Sequence, residues 1–165
     1  MTGGAVFSAC GLYRYRLERH FETGDGKVLW VMLNPSTADA HRDDNTIRRV
    51  KSFSQAWGFR IALVGNVYAF RSTNPRGLRT ADDPTGPDNV KHLQEMASEA
   101  SLIVAAWGQH VLEADAEPVR GLLSRYGNVW CLGVGRGGKP KHPLMLPADT
   151  QCQLYMPRLH RSDVA

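Results

Sequence analysis

KVLWVML, residues 27–33, runs without a break into NPSTADAHRDDNT, residues 34–46, and this junction decides how the chain is read. The first run is apolar on both alternations, which suits a strand covered on both faces, as in a parallel sheet. The second crowds Asn34, Ser36, Thr37, Asp39, His41, Asp43, Asp44 and Asn45 into one connection. Turning a chain and capping a helix takes one or two short polar side chains. The excess points to a surface that handles a ligand.

Outward from this junction the same pattern returns. RIALVGNVYAF (60–70), ASLIVAAWG (100–108) and GNVWCLGVG (127–135) are three further apolar runs of strand length. Helix-like segments lie between them. DNTIRRVKSFSQAWG starts with Asp44 or Asn45 as cap, places Ile47, Val50, Phe53 and Trp57 on one face and closes on Gly58. GPDNVKHLQEMASEAS puts Val90, Leu93, Met96 and Ala97 together, and AEPVRGLLSRYG is a third candidate. Strand alternating with helix predicts an α/β fold, a three-layer α/β/α domain with a central four-stranded, mainly parallel sheet. An N-terminal hairpin is expected over about residues 10–30, because GLYRYRLERHF alternates at period two and ETGDGK supplies a turn. The whole chain, 1–165, reads as a single domain with its core at about 27–147 and a polar, loosely held tail at about 153–165.

Composition narrows the function classes. Three dispersed cysteines, Cys10, Cys131 and Cys152, contain no CxxC pair, so neither a disulfide framework nor a zinc ribbon is indicated, and a cytoplasmic location is expected. No run approaches the ~20 apolar residues of a membrane span. Lysine and arginine number 20 against 16 acidic residues, and the basic ones gather at RYRLERH, TIRRVK, FRSTNPRGLR and GRGGKPKHP. That distribution is compatible with a polyanion, here DNA or a nucleotide, while protein partners are left open.

In an open parallel sheet the ligand lies beyond the carboxyl ends of the strands. Pro35, Ser36, Thr37 and Asp39 come after the first strand, Tyr68 after the second and Trp107 after the third, so these are the candidate substrate-binding residues. Arg71, Arg76, Arg136, Lys139 and Lys141 are the candidate nucleic-acid contacts, and Leu144 a wedge for a duplex. Asn34 is held extended by Pro35, so its amide can be fixed over the sheet edge to orient a water. Asn66 offers a donor and an acceptor to the edge of a nucleobase. His142, in KPKHPL, can donate a hydrogen bond to a departing base.

Other chemistries fit less well. GVGRGG (133–138) matches GxGxxG literally but lies beyond the last strand and runs into two prolines, so no dinucleotide cofactor is expected; a mobile cationic loop is the better account. No GxSxG elbow is present, and Cys131 lies inside an apolar strand. Asp39, His41, Asp43 and Asp44 keep open a metal-dependent hydrolase, although the same residues suit a capped, solvated loop and no HxH or HxxxH pair accompanies them. The catalytic set read from the sequence is Asn34 and His142, without metal or cofactor.

MLNPSTAD, IALVGNVYAFRSTNPRGL, ASLIVAAWGQH and KHPL, in that order, resemble the motifs of the uracil-DNA glycosylase superfamily. The resemblance covers roughly residues 27–147. YRYRLERHF, MLNPSTAD, WGFRIALVGNVYAFRSTNPRGL, AAWG and GKPKHPL look, more closely, like a bacterial and phage family of uncharacterised proteins. The superfamily resemblance implies a uracil-DNA glycosylase-like fold and hydrolysis of an N-glycosidic bond in DNA, and the departures from the superfamily's pattern turn that expectation toward a modified base or a free nucleotide. Asn34 would then take the water-positioning place, Asn66 the base-reading place and His142 that of the leaving-group stabiliser. Ser36 stands where the superfamily commonly has a glycine, its aspartate base is missing, and three cysteines cannot supply the ligands of its iron–sulfur cluster. Those departures leave room for a non-catalytic nucleobase or nucleic-acid binding module.

Overall fold

A computed structural model describes residues 2–160. Its centre is the parallel sheet read from the apolar runs: β3 (Asp25–Met32), β4 (Phe59–Asn66), β5 (Leu102–Ala105) and β6 (Val129–Cys131). β3 pairs in parallel with β4 on one side and β5 on the other, and β6 continues beyond β5. Three antiparallel strands extend this core at its edges. β1 (Thr2–Phe7), β2 (Arg14–His20) and β7 (Gln153–Met156) complete a seven-stranded sheet of order β1-β2-β4-β3-β5-β6-β7.

The sheet is thus mixed and wider than the four strands expected, for two local reasons. The hairpin is formed by β1 and β2, not by β2 and β3, since β4 inserts between the latter two. ETGDGK therefore carries the chain past the end of β4. Gly24 has φ +102°, and a Cβ there would come within 2.6 Å of the Gly58 and Phe59 carbonyl oxygens. Only glycine fits that passage. At the other edge, Gln153–Met156 is paired to β6 and so is not a loose tail; residues 161–165 of the expected tail lie outside the described residues.

Helices cover both faces. α1 (Asn45–Ala56) buries Ile47, Val50 and Phe53 against Val28, Trp30, Met32, Ala62 and Val64. Asp44 is its cap, accepting from the Ile47 amide. α2 (Pro75–Thr80) is a short turn not expected from the sequence. α3 (Asn89–Glu99) and α4 (Glu113–Ser124) pack on the opposite face against Leu29, Val31, Leu63 and Ile103. Val90 is exposed on α3, and Asn89 takes its place in the buried face. No described helix is long and apolar enough to cross a membrane.

Period two breaks once in β2, at the point where the site is built. Leu17 and Arg19 face α1, while Arg16 faces α3 through its ion pair with Glu99. The β1–β2 register shifts between Val6 and Phe7, leaving Tyr15 as the extra residue, stacked on His92 of α3. A bulge of this kind re-aims the side chains next to it. Arg14 is thereby moved from the face of Arg16 to the face of α1.

Candidate functional site

At the carboxyl ends of β3 and β4, beside the start of α1, is a pocket of about 150 Å3 lined by Arg14, Asn34, Ser36, Asp44, Asn66, Ser72, Thr73 and His142 among others. Asn34, Asn66 and His142, separated in sequence by up to about a hundred residues, meet here. The pocket is smaller than the ~300–1,000 Å3 of sites that enclose a drug-sized ligand. It suits a single ring or one oxyanion.

Each polar group has a defined state. The Asn34 amide nitrogen donates to the Ser72 carbonyl at 2.7 Å and the Pro35 carbonyl at 3.0 Å. Both of its hydrogens are used, so the acceptor oxygen is what it can offer to a water or ligand. Asn66 is 2 % exposed, and neither its amide nitrogen nor its oxygen has a partner. It does not serve the backbone around Gly65; Asn89 does that, donating to the Asn66 and Val67 carbonyls. His142 Nδ1 accepts from the Leu144 amide at 3.2 Å, which leaves the proton of the neutral ring on Nε2 as a donor. Burial lowers the His142 pKa, opposed by the charge of Asp44.

Two charged residues of the pocket stand outside the substrate-binding set read from the sequence. Arg14 is 3 % exposed, donates to the Ala38 carbonyl and has an unpartnered Nε. Burial lowers its pKa to about 10, so it is charged near neutrality. The bulge at Tyr15 hides its signal. Asp44 reads as a helix cap, which it is, but the residue also lines the pocket.

Shallower depressions adjoin on two sides. One, of about 550 Å3, shares Leu33 and His142 with the pocket and adds Trp107, Lys141, Leu144 and Met145, the last 89 % exposed. The other, of about 560 Å3, shares Ser36, Ser72 and Thr73 and adds Leu12, Thr37 and Arg71. Arg71 lies over the Phe7 ring and donates to the Gly11 carbonyl.

The remaining candidates fall elsewhere. Tyr68 donates to Asp115 at 2.5 Å, its pKa pushed up to about 12 by burial and that contact, and it lines a separate depression with Arg76. Trp107 touches the adjoining apolar depression but is otherwise core, edge-on to Tyr155. Pro35 is buried, its carbonyl accepting from Ser72. Asp39 accepts from the His41 and Arg42 amides, which hold it below the usual carboxylate range. Lys139 is tied to the Gln109 and Val111 carbonyls, and Pro140 accepts from Gly108, so the cationic loop is pinned to the residues after β5 while Arg136 is exposed on it. The carboxylates of the Asp39–Asp44 loop are engaged one by one: Asp43 pairs with Arg19 and Lys51, and Asp44 caps α1. No three of His, Cys, Asp and Glu converge among the described residues.

Neither a curated protein nor a solved structure matches the chain. A family model described as a protein of unknown function (DUF1643) matches residues 14–144, a span that holds every residue lining the central pocket, and the chain belongs to that family.

Proposed function

We propose that the pocket takes a nucleobase from a nucleic-acid strand and that the protein hydrolyses its N-glycosidic bond. The observation carrying this reading is that Asn34, Asn66 and His142 line one ring-sized pocket, with the Asn66 amide buried and unpartnered. An unsatisfied buried amide costs about 1–3 kcal/mol, and a base edge would satisfy both its donor and its acceptor.

In the reaction the C1′–N bond breaks and its electron pair leaves on the base. The His142 Nε2–H donates to the departing base and disperses that charge. A water, held by the Asn34 oxygen, adds through its oxygen to C1′. Its proton passes to the Asp44 carboxylate or through solvent to the base. The flanking depressions give the rest of the strand a path: Arg71 and Lys141 lie one on each side for phosphates, and Leu144 and Met145 form an apolar rim for unstacked bases.

The test is incubation with labelled oligonucleotides carrying uracil, deaminated, hydroxymethylated and carboxylated bases, and then treatment with alkali. Abasic sites should form with the wild type and fall by at least about 100-fold in Asn34→Ala, at unchanged fold. Equal cleavage by both proteins would remove Asn34 from the mechanism, and no cleavage of any member would remove the hydrolytic reading.

A further inference from the structure

The buried end of the pocket poses a separate question of charge. Arg14 reaches it through the bulge in β2, 3 % exposed, and its Nε has no acceptor. Among the described residues it forms no ion pair; its one side-chain bond is to the Ala38 carbonyl. A guanidinium carries donors only, and in a low-dielectric site a cation out of direct contact with any carboxylate is costly, even with the charges of Asp44 and Asp39 acting on it. Asn66, unpartnered on the same lining, can donate as well as accept. Asp44 stands on the same lining, with one oxygen taken by the Ile47 amide. The pocket therefore carries a cation with donors only at Arg14, an amide open to either role at Asn66 and an acceptor-only carboxylate residue at Asp44.

We infer that the group bound in this pocket carries an anionic oxygen toward Arg14 and Asn66 and an N–H or O–H toward Asp44. Amino-bearing edges are disfavoured, because an exocyclic NH2 would meet the guanidinium donor to donor. If the excised-base reading holds, on which this identification of substrate rests, the accepted base is one carrying a carboxylate or an ionised oxo group. The same chemistry is offered by the phosphate of a nucleotide, and the small volume admits one of these groups and not both.

Binding of small probes tests this without any cleavage. Orotate, a pyrimidine ring with both a carboxylate and imide N–H groups, should raise the Tm of the wild type by about 5–10 °C at a hundredfold excess over its Kd. Uracil and cytosine should bind at least about 10-fold more weakly. Inorganic phosphate is the second arm: a shift with phosphate and none with orotate assigns the anion to a nucleotide phosphate, and the reverse assigns it to the base. Arg14→Met should lose orotate affinity by about 10- to 100-fold. Asp44→Asn, which keeps a good helix cap, should bind the anion more tightly, so the sign can be read even if the arginine variant does not fold. No shift with either anion, or shifts unchanged in both variants, overturns the inference. A protein that binds orotate but excises nothing keeps it and loses the hydrolytic reading, whereas one that excises neutral bases and ignores both anions does the opposite.

Discussion

Arg14 and Arg19 are two arginines of one strand, buried alike at 3 % and 4 % exposure, and opposite in how their charges are met. Arg19 pairs with Asp43 and donates to the carbonyls of Glu18, Asp39 and Arg42, and Asp43 is shared in turn with Lys51. Every part of that cluster is spoken for. Arg14, five residues earlier, has one carbonyl and an orphaned Nε. Folding alone accounts for Arg19, because a satisfied buried network fixes the Asp39–Asp44 connection against β2. It does not account for Arg14. A polar group left unsatisfied inside a protein calls for an explanation, and of the orphaned groups, which include Arg49 Nε and His92 Nδ1, those of Arg14 and Asn66 line the central pocket.

The largest expected effect separates the two directly. Arg19→Met leaves Asp43 half-paired and three carbonyls uncapped, which should cost about 3–5 kcal/mol and lower Tm by roughly 10 °C. Arg14→Met replaces an unpaired cation with an apolar chain of similar length and should change stability by less than about 1 kcal/mol, in either direction. Thermal unfolding of both variants decides it. Equal losses would mean that Arg14 is as structural as Arg19, and the comparison would collapse.

The two buried asparagines repeat the contrast on a smaller scale. Asn89→Ala uncaps the Asn66 and Val67 carbonyls and should cost about 1–3 kcal/mol. Asn66→Ala removes two atoms that have no partner, so stability should hold or rise while ligand binding is lost. Denaturant midpoints, with binding of orotate measured alongside, give both numbers. A destabilised Asn66→Ala would place it with the structural residues.

The same contrasts show how much of the molecule is legible in its sequence. The four central strands, α1 and α3 can be read from apolar runs and helical spacing, because burial on both faces of a parallel sheet leaves a strong compositional trace. Asn34 and Asn66 can be picked out because strand-end position is itself read from those runs, and His142 from the cationic loop that follows the last of them. β1 and β7 leave no such trace: TGGAVF carries two glycines and QLYM is a short edge strand, and neither needs a periodic face. Arg14 escapes for a sharper reason. Strict alternation assigns it to the face of Arg16, and only a bulge, set by pairing with β1, turns it to the pocket. Tyr68 and Lys139 have their polar atoms engaged within the fold, which position after a strand does not reveal.

A third test uses pH. Burial favours the neutral His142, so its pKa lies below the ordinary 6.5. For stability, the neutral form's contribution is complete above about 6.5 and is lost as pH falls from there through the lowered value. For activity, protonation places a hydrogen on Nδ1, where the Leu144 amide now donates, and breaks the fixed tautomer. Excision should be level above about pH 6.5 and fall, up to about tenfold per pH unit, only on the acid side below it. His142→Gln should lower the plateau and erase that limb. A limb centred at or above the ordinary histidine value, or one that persists in the variant, would assign the titration to another group.

The smallest effects lie outside the pocket and compare lysines on one loop. Lys139 Nζ donates to the Gln109 and Val111 carbonyls, so its charge holds the loop against the residues after β5. Lys141 lines the apolar depression that shares His142 with the pocket, and Arg71 lines the depression on the other flank. Phosphate contacts release counterions, so Lys141→Ala and Arg71→Ala should each lower the slope of log Kd against log salt for single-stranded DNA by about 0.7. Lys139→Ala should leave the slope unchanged and instead lower Tm, by a few degrees, through two uncapped carbonyls. The slopes measured between about 50 and 200 mM salt distinguish these cases. If Lys139 rather than Lys141 changes the slope, the strand runs along the outer side of the loop past Arg136, and the path across the pocket would have to be redrawn.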